Sequence, residues 1–254
     1  TGFEGAPWSH TVSLNAPLLN ESMGFGFSFS NDVVGPAVLN NLTLDLSYHL
    51  KFNDSDHRLS FGLKAGGNHT RLDLNNLLLD DQSDPAFDPN NMGKFMPNYG
   101  FGLYYYTPKW YAGFSSPHIV NYEFNATQRH FFLIGGGIIK LNETIKLRPS
   151  TYIKLTKNAP ITLDISGLFI FEDRLWAGLA FRAPIGILVP SNSKGGGLSL
   201  LAGLNLSDQL SMGYSFGYSL GNQTFTYNNG THEIAIRYDY LYKEKKIIKS
   251  PRYF

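Results

Sequence analysis

From residue 11 to residue 240 nearly every apolar stretch alternates with small or polar residues. The clearest case is 23–30, where Met23, Phe25, Phe27 and Phe29 hold the odd positions and Gly24, Gly26, Ser28 and Ser30 the even ones. Residues 210–220 repeat the pattern. A strand sends successive side chains to opposite faces, so this period yields strands with one greasy face and one polar or small face. What such a chain does depends on whether the greasy face meets protein or lipid.

The alternation predicts about thirteen strands, near 9–18, 23–31, 38–52, 58–72, 97–107, 109–122, 129–141, 145–156, 160–171, 174–184, 197–206, 209–220 and 231–242. The connections 19–22, 53–57, 108, 142–144, 172–173 and 207–208 are short. Those at 73–96, 122–128, 185–196 and 221–230 are longer, and 157–159 breaks the rhythm. Short turns at one end and long loops at the other are the pattern of an outer-membrane barrel.

The faces sort consistently. Leu59, Phe61, Leu63 and Ala65 oppose Arg58, Ser60, Gly62 and Lys64. Leu42, Leu44, Leu46, Tyr48 and Leu50 oppose Thr43, Asp45, Ser47, His49 and Lys51. Ile145, Leu147, Ile153 and Leu155 oppose Lys146, Arg148, Ser150 and Lys154, and Leu175, Ala177, Leu179 and Phe181 oppose Arg174, Trp176 and Arg182. Some thirteen strands in one barrel enclose a lumen too wide for side chains to fill with a dry core. A polar lumen can hold water, loops or ion pairs, so the greasy face turns outward to lipid. Aromatics near strand ends, at Tyr104, Tyr105, Tyr106, Trp110, Tyr111, Tyr238, Tyr240 and Tyr242, are expected as interfacial girdles.

Composition agrees. Charged residues are 16% of the 254, below the usual quarter, and aromatics are 15%. The formal net charge of +1 gives no case for nucleic acid. There are no cysteines, which excludes disulfides and thiolate chemistry. The longest apolar run, 131–139, is about half the roughly 20 residues a spanning helix needs. A membrane span by this chain therefore takes the form of a closed barrel. The start at Thr1-Gly-Phe-Glu4 reads as processed or incomplete.

Little of the chain suggests catalysis. His49 lies on the polar face near Asp45 and reads as a lumen-facing polar residue; Ser60 is a conceivable partner on the same face. No serine sits in a nucleophile elbow, no histidine pair has metal spacing, and no cofactor is expected. The glycine triplets 135–137 and 195–197 lack the helix and lysine of a phosphate loop and read as bulges or close backbone approaches. The sequons at Asn41, Asn68, Asn125 and Asn229 follow from an Asn- and Thr-rich β protein. Asp80, Asp81, Asp84 and Asp88 lack the spacing and glycine of a calcium loop and read as a solvated acidic loop. A basic tail, 243–254, follows the last strand and ends in Ser250-Pro251-Arg252-Tyr253-Phe254.

The chain resembles the PorP/SprF family of the type IX secretion system of Bacteroidota. The resemblance rests on an ordered set of segments. It runs from Gly2-Phe-Glu-Gly-Ala-Pro-Trp8 and Thr11-Val-Ser-Leu-Asn-Ala-Pro17 through Gly24-Phe-Gly26 and Asn31-Asp-Val-Val-Gly-Pro36. It continues through 58–66, 84–87, 97–106, Arg129-His-Phe-Phe132, Ala159-Pro160, Asp173-Arg-Leu-Trp176, Gly230-Thr-His-Glu-Ile234 and Ser250-Pro-Arg-Tyr-Phe254. The resemblance implies an outer-membrane barrel serving type IX secretion, gliding, or the export and surface attachment of large adhesins, without enzymatic activity or cofactor. It also implies a further strand ahead of Gly2, bringing the total to about fourteen, since single-chain barrels usually have an even count.

The expectation is therefore an all-β, transmembrane, antiparallel up-and-down barrel over residues 1–242 with a periplasmic tail over 243–254. Its partners would be membrane lipid, a secreted or cell-surface protein, and other secretion or gliding components. The partner-binding candidates are Asp80, Asp81 and Asp84 in the long loop and Ser250, Pro251, Arg252, Tyr253 and Phe254 in the tail. One rival is a porin or FadL-like channel, with an open water column along Lys64, Lys146, Arg148 and Arg182. Another is a carbohydrate-binding β protein using Trp8, Trp110 and Trp176 as stacking platforms.

Overall fold

The computed structural model describes residues 7–18, 22–52, 56–72, 93–120, 128–157, 159–185, 196–220 and 230–238. These residues hold fourteen strands in one sheet and no helix. They are β1 (Trp8–Leu18), β2 (Met23–Val34), β3 (Ala37–Lys51), β4 (Arg58–Leu72), β5 (Gly93–Tyr106), β6 (Trp110–His118) and β7 (His130–Gly137). There follow β8 (Ile139–Lys140), β9 (Ile145–Thr156), β10 (Ile161–Phe171), β11 (Leu175–Ile185), β12 (Gly197–Asn205), β13 (Leu210–Ser219) and β14 (Thr231–Tyr238).

The order is that of the chain: β1 to β7, then β9 to β14, with the short β8 against β9. This up-and-down meander is what consecutive hairpins make, and every register recorded is antiparallel. Thirteen strands form the continuous path, matching the number read from the alternation. The segment expected as one strand over 129–141 divides at Ile138, whose N–H donates to Lys109 O at 2.9 Å. Residues 31–38, expected to leave β2 and enter β3, instead extend both strands to a tight turn at Gly35-Pro36, with Gly35 at φ 55°.

The strands fall into two compact units. The first holds β1–β4, most of β5 and the end of β6; the second holds β7–β14 with the end of β5 and the start of β6. In each unit the usual burial pattern is inverted. In the first, Leu14 is 64% and Leu63 68% exposed, while Thr43 and Asn98 are each 7% exposed. In the second, Ile234 reaches 73%. The apolar side chains lie on the open face and the polar ones pack against their neighbours. Water offers no reason for such a face over a whole sheet, whereas lipid does.

The short connections of the second unit are locked by their own side chains. Thr107 Oγ1 accepts from the N–H of Lys109 at 3.2 Å and of Trp110 at 2.9 Å. Asn142 Oδ1 accepts from Thr144 N–H at 2.9 Å and Ile145 N–H at 2.6 Å, and Ser207 Oγ from Gln209 and Leu210 at 3.2 and 3.1 Å. The β10–β11 turn is different. Glu172 and Asp173 both have positive φ, 49° and 56°, the mirror-image turn that matches strand twist but suits Asn and Gly better than Glu.

Candidate functional site

The polar face is where this chain gathers its chemistry. In the first unit it is built from alternate residues of β1–β4. Asn15, Gly26 and Asp45 share one row of the ladder, and Ser13, Ser28 and Thr43 the next. Asp45 pairs with Lys64 at 2.7 Å, and the Lys64 ammonium also donates to Thr43 Oγ1 at 3.3 Å. His49 and Ser60 do meet: Nδ1 lies 2.7 Å from Ser60 Oγ, and Nε2 lies 3.4 Å from Ser47 Oγ. The imidazole is thus held between two hydroxyls.

In the second unit the same face carries two ion pairs. Lys146 holds both carboxylate oxygens of Asp173 at 2.7 Å. Arg182 grips Asp164 through Nε at 2.8 Å and Nη2 at 2.9 Å, a two-pronged contact between partners directly opposite on β10 and β11. Arg148, on the same face of β9, makes no ion pair with a described residue. Of the four cations expected along a water column, Lys64, Lys146 and Arg182 are therefore each neutralised by the sheet itself.

Aromatic side chains divide between the faces. Tyr104, Tyr106 and Tyr111, expected in an outer girdle, form a cluster on the polar face, with ring centroids 5.6 and 5.8 Å apart. Glycines make room for it: a Cβ at Gly136 would lie 2.6 Å from the Tyr111 hydroxyl. Tyr105, one residue out of phase, faces outward and shares a 2.8 Å hydrogen bond with His57 Nδ1. The three tryptophans do not form a platform. Trp8 sits opposite Val33 on the apolar side of the β1–β2 ladder, Trp110 lies against Gly137, and Trp176 lies against Gly203 on the polar face.

The apolar face has a definite extent. On β1–β3 it runs through Leu18, Met23 and Tyr48 up to Val12, Phe29 and Leu42. The next row is polar: His10, Asn31 and Asn40, with the two amides joined by a 2.8 Å hydrogen bond. From Leu42 to Leu50 the greasy side of β3 spans about 26 Å along the strand, or about 20 Å along the membrane normal at a tilt near 40°. That approximates the outward apolar band of an outer-membrane barrel, about 25 Å tall.

The partner-binding candidates Asp80, Asp81 and Asp84, and Ser250, Pro251, Arg252, Tyr253 and Phe254, lie outside the described residues. Sequence reasoning missed the unsatisfied amides of Asn41, Asn68 and Asn98 on the polar face. Their only trace in the sequence is an Asn at an inward-facing position.

Among solved structures, the chain is similar to two mutants of the Rhodopseudomonas blastica porin. Each is 8% identical, with 92% of this chain and 90% of that chain covered and a TM-score of 0.42. No curated protein matches. The family model described as type IX secretion system membrane protein PorP/SprF matches residues 1–238. With its sheet of antiparallel strands and its outward greasy face, the chain belongs to the PorP/SprF family and is an outer-membrane component of the type IX secretion system.

Proposed function

We propose that this protein assists the export or surface anchoring of a large secreted, adhesin-like protein, acting as a scaffold in the outer membrane and not as a catalyst. The observation that carries the scaffold reading is the pairing of three polar-face cations within the sheet and its turns. Lys64, Lys146 and Arg182 are each paired with a carboxylate of a neighbouring strand or turn, and His49 is held between hydroxyls. Family membership supports the link to secretion. In this reading the sheet forms the wall of a barrel. The loops around 73–96 and 221–230 meet the secreted partner, and the tail 243–254 meets secretion or gliding components from the periplasmic side.

Deletion of residues 247–254, with the protein's level in the outer membrane measured alongside, tests the tail. Loss of adhesin display at an unchanged protein level is expected. Normal display would remove the tail from the mechanism. Deleting the whole gene tests the broader role: an adhesin that still reaches and stays on the surface would overturn it.

A further inference from the structure

The outward face of the first unit changes character toward one end. The Asp45–Lys64 and His49–Ser60 contacts set the β3–β4 register, and a Cβ at Gly66 would lie 2.9 Å from Thr43 Cα in that same register. It puts Gly67 beside Leu42, His69 beside Asn40 and Arg71 beside Val38. The polar row beyond Val12, Phe29 and Leu42 therefore runs across four strands as His10, Asn31, Asn40 and His69. The row beyond that is Trp8, Val33, Val38 and Arg71. Here β4 enters its long connection to β5, so this end faces the outside.

Depth limits what can meet these rows. The face is greasy from Leu50 to Leu42, and polar side chains at the end of such a run stand where hydrocarbon gives way to lipid head groups. Aromatic rings mark the same level, as they do at membrane interfaces. Trp8 packs on His10 with ring centroids 4.8 Å apart, and the exposed Phe95 of β5 lies over Gly67, in the space a Cβ would take.

Charge and hydrogen bonding then select the head group. Asn31 Nδ2 donates to Asn40 Oδ1 at 2.8 Å, which fills that acceptor and leaves the Asn40 Nδ2 hydrogens without an acceptor among the described residues. His69 and Arg71 are both exposed and make no ion pair with a described residue. No Asp or Glu stands at a described outward-facing position of β1–β4. His69 and Asn40 are cross-strand neighbours, about 5 Å apart at Cβ, and Arg71 lies one outward position further along, about 6.7 Å, within the span of its side chain. A cationic head group would meet the guanidinium with no carboxylate to offset it. A neutral one would give the guanidinium no counter-charge. An anionic phosphate takes donors from all three residues, and an arginine forks onto two of its oxygens.

We propose that Asn40, His69 and Arg71 form an outward-facing seat for the anionic phosphate of an outer-leaflet lipid. The seat is independent of the anchoring role above. The chain has no cysteine, so Val38→Cys supplies a single thiol beside Arg71, and Leu198→Cys one on the outward face of β12 in the second unit. Each full-length variant carries a fluorophore on that thiol and is reconstituted in phosphatidylcholine vesicles. Quenching by phosphatidic acid is compared with quenching by phosphatidylcholine, whose phosphate is neutralised by its own choline. Both lipids carry a nitroxide near the top of one acyl chain. One cation at a membrane surface favours an anionic lipid by about fivefold, so phosphatidic acid should be the stronger quencher at position 38 by about that factor. The two lipids should quench equally at position 198.

Adding His69→Gln and Arg71→Gln together should abolish the difference at position 38. Arg71→Gln alone, read where the pair does not insert, should remove most of it, and Arg71→Lys should keep most of it. A difference that survives Arg71→Gln would overturn the seat. So would equal quenching by the two lipids at position 38, or the same preference at position 198. A difference that disappears when inorganic phosphate is added to the water would assign the seat to a soluble anion and overturn the lipid.

Discussion

Replacing Leu63 by Arg separates lipid from water at the apolar face. In the structure the Leu63 side chain is open, and its register across β4 and β3 sets it opposite Leu46, midway along the run Leu42–Leu50. If that face met water, Leu63→Arg would change stability by no more than about 0.5 kcal/mol in either direction. If it meets hydrocarbon near the midplane, the guanidinium costs about 2–4 kcal/mol. Each 1.36 kcal/mol is a factor of ten, so the folded-to-unfolded ratio falls by roughly 30-fold to several hundred-fold. Leu50→Arg, at the turn-proximal end of the same greasy run, is the internal control, because the cost near an interface is only about 0–1 kcal/mol. The assay is reversible denaturant unfolding in lipid vesicles, followed by the fluorescence of the three tryptophans. A large cost at Leu63 with a small one at Leu50 is the expected profile. Two small costs would show that the face does not meet lipid. Two equal large costs would show that neither belt nor depth has been placed correctly.

Three further perturbations follow from local geometry. Gly203→Ala would put a Cβ 2.2 Å from Trp176 Cζ2 and 2.6 Å from Met212 O, for a loss of about 1–3 kcal/mol, whereas at Gly62 the nearest atom is 3.8 Å away. Gly62→Ala should therefore be neutral or stabilising, and equal unfolding midpoints for the two variants would refute the packing. Glu172→Asn is expected to stabilise by about 0.5–1 kcal/mol, because Asn tolerates the positive φ of 49° better and leaves the Asp173 carboxylate to Lys146; a lowered melting temperature would contradict this. Lys146→Met should cost no more than about 1 kcal/mol, because Asp173 is exposed at the turn, and a loss above about 2 kcal/mol in the same unfolding assay would refute it.

The faces were legible because period two depends on nothing beyond the strand itself. Phe25, Phe27 and Phe29 on one side, with Gly24, Gly26 and Ser28 on the other, needed no knowledge of their neighbours. The same logic placed Trp176 on the polar face before its contact with Gly203 was known. Relations between strands were less legible. The Asn31–Asn40 amide pair depends on the turn at Gly35-Pro36, and ending the preceding strand at Asn31, where the structure carries it to Val34, hid it. The inward turn of Tyr104, Tyr106 and Tyr111 depends on glycines of other strands, such as Gly113 and Gly136, leaving space for the rings. The dangling oxygens of Asn41, Asn68 and Asn98 lie further still from the sequence, since an unsatisfied group is defined by what every neighbour fails to supply. Asp80, Asp81, Asp84 and the residues 250–254 stay as the sequence left them, candidates by composition alone.

The polar face also bears on the choice between a conduit and a scaffold. A selective pore uses rings of uncompensated charge to concentrate one kind of ion. Here three of the polar-face cations are spent within the wall. Lys64 is held by Asp45 of β3, Arg182 by Asp164 of β10, and Lys146 by Asp173 of a turn. Arg148 and Lys154, both on the polar face of β9, make no ion pair with a described residue. The patch beside Asp45 and Lys64 is neutral and short of donors, with three amide oxygens shut off from water. A wall that pairs Lys64, Lys146 and Arg182 with its own carboxylates leaves those three cations unavailable to form such a ring.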